Sequence, residues 1–114
     1  MLEPSSNCEL GPCVKLLAGA WTLEIFFYLK DRPLYFGELK RSLVTVSAKV
    51  LTARLRELEH RGVIKRSVLG GTPPNVEYKL SEMGQELIPV LDLFSEVSQK
   101  LKNNYANAIK PESY

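Results

Sequence analysis

The sequence predicts a mainly α-helical fold with one small β-hairpin, and two changes of pattern predict it. Up to residue 61 the apolar residues recur at helical spacing. After Gly62 the pattern changes to a Val-, Ile- and Leu-rich run and then, over residues 76–80, to strict alternation with polar residues, and from residue 82 the helical spacing returns. The 114 residues, 45 % apolar and 25 % charged, suffice for one domain and not for two ordinary ones. The composition is that of a folded globular protein.

Residues 1–11 read as a loose tail. A short helix is expected over residues 12–17, with Pro12 at its start and Cys13, Leu16 and Leu17 on its apolar side. Gly19 interrupts it. Residues 21–29 carry Trp21, Leu23, Ile25, Phe26, Phe27 and Leu29, apolar on nearly every side, so a buried central helix is expected there, ended by Asp31, Arg32 and Pro33. Residues 35–43 form a second short helix, with Phe36, Leu39 and Leu43 on one face, Lys40 at its edge and Arg41 well off it. After a link over residues 44–46, Ser47 is a good N-cap for a longer helix that runs to about residue 61 and stops at Gly62.

Residues 63–69, rich in Val, Ile and Leu, and residues 76–80, where Val76, Tyr78 and Leu80 alternate with Glu77 and Lys79, read as two strands. The Gly- and Pro-containing stretch 70–75 joins them into a hairpin. Helix is expected again from residue 82 to about residue 105, with Pro89 starting or kinking its main run. A short helix, a tight link, a longer basic helix and then a hairpin is the winged helix-turn-helix plan. The expected organisation is a tail (1–11), a winged helix-turn-helix core with its N-terminal helix (12–80), and a C-terminal dimerisation helix and tail (81–114).

Charge is unevenly distributed. The net charge is +2, but residues 30–80 hold 11 basic residues against 5 acidic ones, and both flanks are net acidic. A basic middle between acidic ends suggests that one segment faces a polyanion. Winding residues 47–61 at about 100° per residue puts Leu51, Leu55 and Leu58 within about 60° of one another, facing the core. Lys49, Thr52, Ala53 and Arg56 fall on the other side. Such a face suits the major groove: Lys and Arg donate to guanine, Thr offers a hydroxyl and a methyl, and Ala allows close approach. Ser47, at the helix start, can also bond a phosphate or a base. Arg54 lies nearer the apolar stripe and is expected to snorkel or to pair with Glu57. Lys40, Arg41, Lys65 and Arg66 are expected phosphate anchors, and Thr72 and Asn75 at the wing tip are placed to reach along the backbone.

Several motifs together resemble the HxlR family. They are Phe36-Gly37-Glu38-Leu39, the run from Ser47 to Glu59 (SAKVLTARLRELE), Pro73-Pro74-Asn75-Val76-Glu77-Tyr78-Lys79-Leu80, Gly84 with Leu87-Ile88-Pro89-Val90-Leu91, and Trp21-Thr22-Leu23. The resemblance covers roughly residues 8–94. It implies a dimeric winged-helix regulator on a pseudo-palindromic operator, in some members responsive to oxidants or electrophiles through an N-terminal cysteine. Cys8 falls at that cysteine's position, thirteen residues before Trp21. The sequence departs from the family's pattern in three places: Glu9 follows Cys8 in place of proline, Ala18-Gly19-Ala20 replaces Gly-Gly-Lys, and Ala48 stands where glutamine is frequent.

In the C-terminal helix, Leu87, Leu91, Phe94, Leu101 and Tyr105 follow a heptad-like row interrupted by Ser98, and a second copy of the chain is the expected cover. By analogy with the family, Leu16 and Leu17 of the N-terminal helix complete that interface. Cys8 and Cys13 are the redox-sensing candidates. A helix N-terminus at Pro12 favours a thiolate at Cys13, which serves equally as a small buried apolar residue.

Other classes are expected to be absent. No metal site or cofactor is expected, because His60 is the only histidine and lies far from both cysteines. No enzyme is expected: neither a nucleophile-and-base set nor a Gly-rich phosphate loop is present. Glu24 and Thr22 interrupt the longest apolar stretch, so no membrane span is expected. Residues 1–7 lack the pattern of a signal peptide, so a cytoplasmic location is expected. Double-stranded operator DNA, a second copy, and an oxidant or small-molecule effector are the expected partners. The competing reading is a winged-helix module used only for protein–protein contact.

Overall fold

The computed structural model describes residues 8–107; the rest of the expected N-terminal tail and the last residues of the C-terminal tail lie outside them. The elements in order are α1 (Gly11–Leu17), α2 (Thr22–Leu29), β1 (Leu34–Tyr35), α3 (Phe36–Leu43), α4 (Ala48–His60), β2 (Ile64–Leu69), β3 (Asn75–Leu80), α5 (Glu82–Gln85) and α6 (Ile88–Asn104). This is the expected mainly α fold with a small sheet.

The turn between α3 and α4 and the stop after α4 follow local chemistry. The Ser47 hydroxyl accepts the Val50 backbone N–H at 3.1 Å, satisfying one of the orphan donors of α4; removing such a cap costs about 1 kcal/mol. Past the other end, Gly62 sits at φ +84°, a left-handed conformation that glycine adopts without a steric penalty.

The hairpin gains a third strand. β3 lies between β1 and β2, antiparallel to both. The β1 pairs are Leu34 with Tyr78 and Tyr35 with Glu77. Residue 35, expected to begin a helix, belongs instead to the strand, and α3 starts one residue later. The Tyr35 backbone N–H is then taken by Glu38 Oε1 at 2.9 Å. That bond, with the Arg32 guanidinium beside it, holds the Glu38 carboxyl below the usual carboxylate range.

The core joins Ile25, Phe26 and Leu29 of α2, Leu39 and Leu43 of α3, the Leu51, Leu55 and Leu58 stripe of α4, and Ile64, Tyr78 and Leu80 of the sheet. Two expectations need correction. Helix α2 is not buried all round: Leu23, Phe27 and Tyr28 are exposed, because only the face carrying Thr22, Ile25, Phe26 and Leu29 meets the core. The C-terminal helix is divided, with α6 beginning just before Pro89, and its first turns pack against α2. Leu87 and Leu91, expected at a dimer interface, are instead buried in the chain's own core. The other three members of the row, Phe94, Leu101 and Tyr105, are exposed, as are Leu93 and Val97. Leu16, Leu17 and Cys13 are half-buried against the core.

Gly84 marks a close approach. A Cβ there would run into the Val63 carbonyl oxygen and crowd Leu80. Gly84→Ala should therefore destabilise the protein by about 1–3 kcal/mol, the usual cost of overpacking. A melting temperature equal to wild type would show that α5 can shift freely.

Candidate nucleic-acid interface

Helix α4 presents the expected two faces. Leu51, Leu55 and Leu58 are buried, Lys49, Ala53 and Arg56 are exposed, and Thr52 is half-buried at the boundary. Arg54 is tied to Glu57 at 2.7 Å, as its place near the apolar stripe suggested. Glu57 also holds Arg61 at 2.5 Å, and Arg61 donates to the Lys15 carbonyl at 3.3 Å, fastening α1 to the end of α4. On α3, Lys40 is half-buried and Arg41 exposed. Both lie in its last turn, where the helix dipole favours cations.

In the hairpin, β2 residues alternate between faces, so Lys65 and Arg66 point opposite ways. Arg66 stands across from Tyr78, and Lys65 across from Lys79. The two basic residues are both exposed but leave the strand on opposite faces. Thr72 and Asn75 are exposed at the far end of the hairpin, Asn75 pairing with Leu69 where β3 begins.

Pairing sorts the basic residues of the middle segment. Of the 11, Lys30, Arg32, Arg54 and Arg61 are in ion pairs. Among the described residues, no carboxylate comes within ion-pair distance of Lys40, Arg41, Lys49, Arg56, Lys65, Arg66 or Lys79. The first six are the basic residues expected to face a polyanion. Sequence reasoning missed the seventh, Lys79; the signal was its alternation with Val76, Tyr78 and Leu80, which sends it outward. Like charges directly opposite, as Lys65 and Lys79 are, destabilise a bare sheet. Val44 and Val50, both exposed beside the helix-turn-helix, were also missed.

Cys8 is exposed just ahead of α1 and Cys13 is half-buried; both are free thiols. Among the described residues no cluster of three metal-ligating side chains occurs, and no single helix is long and apolar enough to cross a membrane.

The HxlR-like helix-turn-helix family model matches residues 16–106. The chain is 38 % identical over 99 residues to the uncharacterized HTH-type transcriptional regulator BH0655 of Halalkalibacterium halodurans, covering 86 % of this chain and 88 % of that one. Among solved structures it is similar to a MarR-family transcriptional regulator from Porphyromonas gingivalis (TM-score 0.78, 32 % identity, 84 % of this chain and 94 % of that one). It is also similar to the redox regulator HypR in its reduced form (TM-score 0.80, 27 % identity, 90 % of this chain and all 100 % of that one). The helix-turn-helix, the wing and these matches agree: the chain belongs to the HxlR-like helix-turn-helix family, a family of transcriptional regulators rather than enzymes.

Proposed function

We propose that this regulator binds a pseudo-palindromic operator as a homodimer and that its affinity responds to oxidants or electrophiles. The observation that carries the DNA reading is the sorting of charge within residues 30–80: among the described residues, the cations of that segment without carboxylate partners lie on α3, α4 and the two strands of the wing. An unpaired cation keeps its full field for a phosphate, whereas a paired one must first break a bond. In this reading Lys49, Thr52, Ala53 and Arg56 face bases, Ser47 caps and approaches the backbone, and Lys40, Arg41, Lys65, Arg66, Thr72 and Asn75 contact phosphates. The exposed stripe Phe94, Leu101 and Tyr105 meets a second copy, beside Leu16 and Leu17. For the redox response, support comes from the exposure of Cys8 and the likeness to a redox regulator.

The test is a titration of the protein against its own upstream DNA at about 50 and about 200 mM salt, with and without a thiol oxidant. Specific binding should fall about a thousandfold or more between the two, as expected for six or more phosphate contacts. Oxidant should change the affinity of wild type and Cys13→Ser but not of Cys8→Ser; a response retained in Cys8→Ser would exclude Cys8. If oxidant does nothing to specific binding, the effector is sought in the groove of about 390 Å³ between α2 and α6, lined by Leu23, Phe27, Tyr28, Leu91, Phe94 and Ser98 among others. Binding that is weak, nonspecific and insensitive to salt would favour a protein-interaction module.

A further inference from the structure

Two valines beside the start of α4 are poorly explained by folding. Val44, in the turn after α3, lies at φ +59° and ψ −67°. Its neighbours close a γ-turn around it, the Thr45 N–H donating to the Leu43 carbonyl at 2.6 Å. A β-branched residue is a costly choice for that conformation, and glycine would adopt it with less strain. The side chain is also 77 % exposed, so burial offsets little of the cost. Val50 is 40 % exposed in the first turn of α4. On the helical wheel it lies about 105° from the centre of the Leu51, Leu55 and Leu58 stripe, at the edge of the face that carries Lys49, Ala53 and Arg56. A solvated helix position is better served by Lys, Arg or Gln than by a branched apolar side chain.

Single exposed valines are common on protein surfaces. These two, however, stand three residues on either side of the Ser47 cap, the cap itself bonding the Val50 N–H at 3.1 Å. Lys40 and Arg41 precede Val44 in the last turn of α3, and Lys49 and Arg56 share α4 with Val50; none is paired with a carboxylate among the described residues. The partner that suits such a surface presents an apolar group inside an anionic frame. Thymine in duplex DNA does so, its 5-methyl group projecting into the major groove between two phosphate backbones.

Resting on the DNA-binding reading above, we propose that Val50, with Val44 six residues before it in the preceding turn, recognises the 5-methyl groups of thymines in each operator half-site. This adds to the polar face a sequence preference that Lys49 and Arg56 cannot supply, because the methyl is what separates thymine from uracil and, with the neighbouring oxygen, from cytosine.

The experiment replaces each thymine pair of the identified operator, symmetrically in both half-sites, by deoxyuridine and measures affinity by fluorescence anisotropy. Wild type should lose about fourfold per half-site at one or two positions, the effect of one buried methyl group. Val50→Ala, which improves helix propensity and so leaves folding intact, should bind thymine and uracil forms alike at one of those positions. Val44→Gly should do the same at another; if it keeps full discrimination, Val44 is removed from the reading. Indifference of wild type to every uracil, or undiminished discrimination in Val50→Ala, would overturn the proposal while leaving specific DNA binding in place. Failure to find any specifically bound operator would overturn both.

Discussion

Val97→Lys/Leu101→Lys is expected to elute as a folded monomer and to bind the operator about a hundredfold to ten-thousandfold more weakly than wild type. The outer face of α6 carries Phe94, Val97, Leu101 and Tyr105 at spacings of three and four, all of them exposed, with Leu93 beside them. A contiguous apolar stripe of this kind marks an interaction surface more often than a solvated one. Pairing of two copies through this stripe is the dimer proposed above, in which the two α4 helices are expected to reach half-sites about 34 Å apart. Lysine at residues 97 and 101 keeps helix propensity, suits the C-terminal half of the helix dipole, and places like charges across the symmetric contact. The same change at Leu91, only 2 % exposed, would unfold the protomer and report nothing about pairing. Loss of the second half-site turns an effectively intramolecular binding step into a bimolecular one, which is the source of the large factor. Light scattering that still finds a dimer would move the interface to α1. A monomer with undiminished affinity would mean that one copy suffices.

What the sequence could reveal depended on how many periods an element contained. Helix α4 has more than three turns, and its leucine stripe, its serine cap and its glycine stop each pointed to the same boundaries. Strand β1 has two residues and therefore no period; only its pairing with Tyr78 and Glu77 defines it. In α2 the run Phe26-Phe27-Tyr28 is uniformly aromatic, so composition could not show that Phe26 faces the core while the next two turn outward. The C-terminal row shared a face, as its spacing required. Spacing does not say what covers a face, and the first two members were claimed by the core of the same chain. Charge was the most informative case. Counting showed an excess of basic residues in the middle, but pairing depends on which carboxylates fold into reach. Glu57 was within local reach of both Arg54 and Arg61 on one helix, whereas the Lys30 bond to Asp92 spans the fold.

Arg56→Ala and Lys49→Ala should each weaken operator binding by about 1–3 kcal/mol, with thermal stability nearly unchanged. Both positions are exposed on a helix where alanine is the best former, so the weaker binding is read against an intact fold. The two possible targets separate in the data. If Arg56 reads a base, its removal relaxes preference at one operator position and leaves the salt slope alone. If it holds a phosphate, its removal weakens all sequences alike and lowers the slope by about one. Arg54 is the internal control. It carries the same charge two residues away, but Glu57 holds its guanidinium at 2.7 Å, and its side chain lies beside Gly19 in the link between α1 and α2. If Arg54→Ala binds like wild type while Arg56→Ala does not, position on the helix rather than charge alone decides recognition. Equal weakening at both would mean that the operator is held mainly by summed positive potential, with the reading face elsewhere.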